Sequence, residues 1–275
     1  MSVFRPSAHA LITGGASGIG YAVARLCLSH SMRVTITDTN QTLLDQATKS
    51  LSGNLTSIKA DVTSRSDWAT LKQHIGTDID FLMLNAGIGG KGTWGDADYF
   101  DSILGTNLGG VVNGLNAFVP VMLEKEKEGG KKAIVITGSK QGITNPPGNA
   151  AYNASKAAVK TLAEHLSFDL KDTNVGVHLL VPGWTFTGLA GKVPGSDTET
   201  PKGAWSADQV AEYMLEKMKD DKFYIICPDG QVTEETDKKR MLWSVGDIIG
   251  GRPPLTRWRP EYKEEAEKWM AEQKV

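Results

Sequence analysis

Eight residues near the start, Thr13-Gly14-Gly15-Ala16-Ser17-Gly18-Ile19-Gly20, constrain this chain more than any other stretch. They lie between an apolar run at 8–12 and an amphipathic segment at 21–29, so the order is strand, glycine-rich turn, helix start. Glycine lets a backbone turn sharply and approach a pyrophosphate closely, and a helix N-terminus offers free N–H groups and a favourable dipole. A second apolar run, 34–37, ends at Asp38, near the offset of about 20 residues at which a carboxylate meets an adenosine ribose. A glycine motif alone says little. Strand, turn, helix and carboxylate together predict dinucleotide binding.

The rest of the chain repeats that alternation. Strands are expected at 55–60, 79–84, 132–137, 175–181 and 223–227, and helices at 40–50, 64–75, 98–127, 151–170 and 206–219. Ser64 suits an N-cap, with Asp67 three residues on. The nearly all-apolar run 79–84 suits a strand covered on both faces. This pattern predicts an α/β, doubly wound parallel sheet with helices on both faces, whose ligands sit at the carboxyl ends of the strands. Residues 1–228 read as one domain. Within it, 184–204 is rich in Gly, Pro, Thr and Ser and long enough to predict a functional lid. Beyond it, 229–275 reads as a helical extension, with helices at 233–249 and 260–273 packed on the same body or on a neighbouring subunit.

Composition narrows the partners. A formal net charge of -2 with 23% charged residues gives no electrostatic reason to expect nucleic acid or an anionic membrane. No apolar run reaches membrane-spanning length, and 1–9 has no apolar signal core. The two cysteines, Cys27 and Cys227, make neither a disulfide framework nor a metal site by themselves, so no metal and a cytoplasmic setting are expected.

Chemistry gathers in the second half. Tyr152 and Lys156 are four apart at the start of a helix and share a face. A lysine ammonium and an oxidised nicotinamide would both draw a tyrosine pKa down from about 10 towards a range useful to a general base. Ser139 follows a strand at its carboxyl end and can hydrogen-bond a substrate oxygen. Asn107, among glycines in mid-helix, predicts a bend or an inward functional group.

With these residues in hand, the chain resembles the short-chain dehydrogenase/reductase family. The matching motifs are Thr13-Gly14, Gly18 and Gly20; Asp61-Val62; Asn85-Ala86-Gly87; Asn107; Ser139; Tyr152-x-x-x-Lys156; and Pro182-Gly183 followed by Thr187. The resemblance implies a Rossmann-like sheet, here of seven strands, and an NAD(P)-dependent reaction at an alcohol or ketone. It gives Tyr152 the general acid/base role, Lys156 the nicotinamide ribose, Ser139 the substrate oxygen, and Asn107 a water linking Lys156 to solvent. The turn residues Ser17 and Ile19 accompany the glycines. Asp61 and Val62 would contact adenine, 85–87 would pack beside the adenosine ribose, and Thr185 and Thr187 would hold the carboxamide. Leu84, Thr185 and the pair Lys140-Gln141 depart from common family residues.

Asp38 favours NAD over NADP, because it accepts hydrogen bonds from a free ribose and repels a 2′-phosphate. The substrate pocket is expected around Trp94, Lys140, Gln141, Asn149, Trp184 and Phe186, with tail residues such as Trp243, which favours a cyclic, aromatic or lipophilic alcohol or ketone. Lys140 either meets an anionic or carbonyl-rich substrate or faces outward, the outward reading being favoured. A dehydratase or epimerase on the same fold and a non-catalytic nucleotide sensor stand as alternatives. The resemblance also implies a homodimer or homotetramer.

Overall fold

The computed structural model describes residues 2–124, 130–190 and 199–275. Seven parallel strands form one sheet in the order β3-β2-β1-β4-β5-β6-β7. They are β1 (His9–Thr13), β2 (Arg33–Asp38), β3 (Leu55–Lys59), β4 (Phe81–Leu84), β5 (Lys132–Thr137), β6 (Val175–Val181) and β7 (Tyr224–Ile226). Because β1 has β2 on one side and β4 on the other, the sheet switches direction beside β1. The crevice for a ligand lies there, at the carboxyl ends.

Strand residues alternate between two apolar layers, as a period of two requires. Ala10, Ile12, Val34, Ile36 and Met83 face the layer that includes Val23 and Cys27 of α1 (Gly18–Ser29) and Val210 and Met214 of α8 (Ala207–Lys219). Leu11, Leu82, Leu84, Ile134 and Ile136 face the other. That second layer is filled from α3 (Arg65–Ile75), α5 (Gly110–Glu124) and α7 (Ala150–Asp169). Trp68 and Phe118 meet there edge to face, 6.1 Å apart. Side-chain caps start two of the helices on the β2–β3 side: Asn40 accepts the Leu43 N–H for α2 (Gln41–Ser50), and Ser64 accepts the Asp67 N–H for α3.

Two elements differ from the sequence reading. The helix expected at 98–127 is divided into α4 (Ala97–Leu104), a π-helical turn Gly105–Gly109 and α5; residues 125–129 lie outside the described part. Asn107, flanked by glycines, sits in that turn, and such wide turns occur where a helix must re-aim a side chain. A short helix, α6 (Lys140–Thr144), follows Ser139 where only a loop was read. The tail forms α9 (Glu234–Ile249) and α10 (Lys263–Glu272), and α9 packs against α6 beneath the sheet's carboxyl end. No described helix is long and apolar enough to cross a membrane.

The stretch 184–204 is pinned at its base. Trp205 donates its N–H to Trp184, and Phe186 donates to Trp205, both at 2.9 Å. Residues 191–198 of the expected lid lie outside the described part.

Candidate active site

A cavity of about 400 Å³ opens at the crevice beside β1. Gly14, Ser17, Gly18 and Ile19 line it from the first turn, Asp38 from β2, Asp61 and Val62 after β3, and Asn85, Ala86 and Gly87 after β4. Gly18 has φ 54°, where an L side chain is strained, and a Cβ there would stand 3.2 Å from Thr187. Thr13 and Gly20 do not line the cavity but shape it. The Thr13 hydroxyl accepts the N–H groups of Asn85 and Ala86 at 2.9 and 3.0 Å, and Gly20 lets α1 approach the Gly14 carbonyl, which a Cβ would meet at 2.3 Å. Asn85 closes the ring: its amide donates to the Thr13 carbonyl at 3.1 Å and accepts from Thr137 at 3.2 Å. The Asp38 carboxylate accepts the Asn40 N–H at 3.1 Å, and Asp61 accepts both the N–H and the hydroxyl of Thr63 at 2.8 Å.

A second cavity, of about 1020 Å³, adjoins the first. Tyr152 lines both, as do Pro182 and Thr187; Lys156 faces only the smaller and Ser139 only the larger. The Ser139 hydroxyl stands beside the Tyr152 phenol. Burial pushes the Tyr152 phenol above its usual value, and the Ser139 hydrogen bond opposes that. Lys156 is buried, donates to the Thr137 carbonyl at 2.8 Å, and has its Nζ 5.8 Å from the centre of the Tyr152 ring. Burial lowers its pKa to about 8. Burial therefore sets the direction for the Tyr152 phenol in the polypeptide itself, with the Ser139 hydroxyl opposing it. Asn107 is fully buried; its amide accepts from the Ile88 N–H at 2.8 Å and donates to the Ile88 carbonyl at 3.0 Å. It thereby fixes the loop that crosses the cavities. Both readings of Asn107, bend and inward group, are seen together.

The chain matches the family of short chain dehydrogenases over residues 8–197. It belongs to that family. This short-chain dehydrogenase is 33% identical over 194 residues to the oxidoreductase asL5 of Sarocladium schorii, covering 68% of this chain and 75% of the relative. It is 35% identical over 197 residues to 2-(S)-hydroxypropyl-CoM dehydrogenase 3 of Xanthobacter autotrophicus, with 68% and 75% covered. A short-chain dehydrogenase/reductase from Burkholderia phymatum, solved in complex with NAD, superposes with a TM-score of 0.81 at 26% identity, over 93% of this chain and 98% of that one.

In this short-chain dehydrogenase the larger cavity differs from the pocket read in the sequence. Trp184, Gln141, Asn149 and Lys140 line it, and the Asn149 side-chain carbonyl accepts the Tyr99 hydroxyl at 2.6 Å. Trp94 does not: it is 78% exposed and rests on Phe100. Phe186 is turned into the protein, and Trp243 is buried in the tail, donating to Thr256 at 2.8 Å. The aromatic lining expected from sequence is therefore reduced to Trp184 and Tyr152 among the described residues. Thr185 faces the larger cavity and donates to the Gly183 carbonyl at 3.2 Å, while Thr187 touches both cavities.

Lys140 does not face outward. Its ammonium is buried between the carboxylates of Asp229 and Asp237, the latter at 2.8 Å. Asp229 also accepts the Trp184 N–H at 2.7 Å, and Asp237 accepts from Arg240 at 3.0 Å. Asp229 and Arg240 line the larger cavity and were absent from the sequence reading. Their only signal in sequence was the turn Pro228-Asp229-Gly230 and an amphipathic tail, neither of which tells that the tail reaches the site.

Proposed function

We propose that this chain catalyses the reversible NAD-dependent oxidation of a secondary alcohol to a ketone, with Tyr152 as general acid/base. One observation carries the reading: Tyr152, with the Ser139 hydroxyl beside it, stands where a groove built for a dinucleotide meets a larger cavity open to a substrate. The groove fits the cofactor. Its first turn approaches without side chains at Gly14 and Gly18, and Asp38 stands on its wall where an unmodified ribose would donate. A relative of known structure, from Burkholderia phymatum, was solved with NAD, which supports the same choice here. The bound nicotinamide supplies the hydride acceptor or donor.

The side chains do the rest. Ser139 holds the substrate oxygen, and Tyr152 takes the hydroxyl proton as the C–H bond breaks or returns it to the forming alkoxide. Lys156 places a positive charge near the phenol and presents its ammonium to the nicotinamide ribose while bonded to Thr137. Asn107 holds the loop at Ile88, next to the water expected to relay protons from Lys156. Asp61, Val62 and 85–87 serve the adenosine half, and Thr185, Thr187, Pro182 and Gly183 the carboxamide side. The organisation we infer is one catalytic unit, 1–228, with 229–275 as an extension serving its larger cavity, in a cytoplasmic homodimer or homotetramer. The exposed face of α9, where Ile248 and Ile249 are 84% and 82% exposed, supports assembly.

The test is direct. The purified chain is incubated with NAD and a panel of secondary alcohols, and with NADH and the matching ketones. Net formation or consumption of NADH supports the reading. Conversion of an alcohol or sugar with no net change in NADH moves the assignment to the dehydratase or epimerase class.

A further inference from the structure

The larger cavity has an uneven charge. Among the described residues its lining includes three cationic side chains, Lys91, Lys140 and Arg240, and one carboxylate, Asp229. Asp229 is not available to a ligand, because one oxygen holds Lys140 and the other the Trp184 N–H. Asp237 is fully buried and divided between Lys140 and Arg240. Lys140, considered from sequence as an anion contact, is thus already neutralised from within.

Arg240 is in a different position. It comes from the tail helix α9, reaches the cavity wall, and keeps 26% of its side chain exposed. The bond to Asp237 uses its Nη1, and a guanidinium has five N–H donors in a planar fork. A second guanidinium, Arg257, lies near enough for Arg240 to help push its pKa down to about 10, burial being the larger cause. Asp237 bonds only Arg240 of these two and acts on Arg257 through space, while its second oxygen is already given to Lys140. Positive charge is left over on the cavity wall, and the one carboxylate there is already engaged.

Resting on the oxidoreductase reading above, we infer that Arg240 is a specificity-determining residue, and that the natural substrate is an alcohol or ketone bearing an anionic group, such as a carboxylate, which the guanidinium binds while the reacting carbon lies against Ser139 and Tyr152. An arginine fork matches a carboxylate in two parallel bonds, and a partly enclosed wall strengthens them. The extension after β7 then has a chemical role, because it carries the recognition group to a cavity whose reactive groups come from β5 and α7. A neutral lipophilic substrate would leave this charge unpaired on binding.

The experiment uses matched pairs: 3-hydroxybutyrate, 4-hydroxypentanoate and 5-hydroxyhexanoate, each beside its primary amide, with NAD as co-substrate. For at least one chain length the acid should exceed its amide in kcat/KM by about tenfold or more, the scale of a charge-assisted hydrogen bond. The difference should lie mainly in KM. Arg240→Gln should lower kcat/KM for the acid far more than for the amide, so that the preference is lost, and Arg240→Lys should keep part of it. A general loss of structure would instead lower acid and amide alike. Should Arg240→Gln fail to fold, the wild-type pairs still decide, because the acid's advantage must shrink as salt is raised. Equal use of acid and amide at every chain length, or a preference that survives Arg240→Gln, overturns the inference and leaves the oxidoreductase reading standing. Absence of NADH from every acid, every amide and a wider alcohol panel overturns that reading, and the inference with it.

Discussion

The ammonium of Lys156 donates to the Thr137 carbonyl at 2.8 Å, so the lysine is tied to the end of β5 and not to the phenol it serves. Its Nζ is 5.8 Å from the centre of the Tyr152 ring. At that separation it can reach the phenol only as a charge, and in the proposed reaction the proton-transfer partner of the phenol is the substrate oxygen held by Ser139.

Tyr152→Phe removes the hydroxyl that stands beside Ser139 where the two cavities meet. We expect kcat to fall by about 100-fold or more, the usual weight of a positioned acid/base, with the dissociation constant for NADH nearly unchanged. Steady-state rates and NADH fluorescence check the two halves.

Lys156 has its pKa held at about 8 by burial, below the ordinary 10.5. The unfolded chain therefore binds this proton more tightly, and stability from this residue is missing below about pH 8 and regained as pH rises towards 10.5. The interval corresponds to about 3 kcal/mol of disfavoured charge at neutral pH, part of which the bond to Thr137 offsets. Lys156→Met should thus fold at least as stably as the wild type at pH 7, lose that advantage at pH 10, and be inactive. Urea unfolding at the two pH values measures it.

Asp38 is expected to set cofactor choice. Asp38→Ala should lower kcat/KM for NAD and raise the ratio of NADP to NAD use by about tenfold or more, since a half-buried like-charge clash is removed. Initial rates with each nucleotide give the ratio.

Lys140 holds Asp229 and Asp237 together, with 10% of its side chain exposed and none of Asp237's. Lys140→Met leaves two carboxylates without their shared cation and should cost about 3 kcal/mol or more. Adding Asp237→Asn should recover part of the loss. Thermal unfolding of the single and double variants checks the coupling.

His9 and His178 are buried, and burial lowers the pKa of each below the ordinary 6.5. The His9 ring donates to the Asp78 carbonyl at 2.8 Å and accepts from Thr35 at 2.9 Å; His178 donates to the Lys222 carbonyl at 2.7 Å. Burial favours the neutral ring at both positions. The unfolded chain gains their protons first, so stability is full above about pH 6.5 and falls as the solution becomes more acid. The Tm should drop between about pH 7 and about pH 5.5, and less steeply in His178→Asn.

Sequence alone determined the alternation, the glycine turn and the order of the reactive residues, because each of these is written in local spacing. Ser64 capping α3, Asp38 ending β2, and Tyr152 one turn from Lys156 depend on neighbours within a few positions. The burial of Lys140, the exposure of Trp94 and the removal of Trp243 from the cavity were decided only by tertiary structure. The fate of Lys140 turns on where α9 lies against α6, a contact between residues about a hundred positions apart, and that of Trp243 on its packing against Thr256 and Trp269 of the tail. A buried charge is stable only beside its partners, and nothing local to Lys140 announces Asp229 or Asp237. The same packing brings Arg240 to the cavity, a charge that no local spacing in the sequence announces.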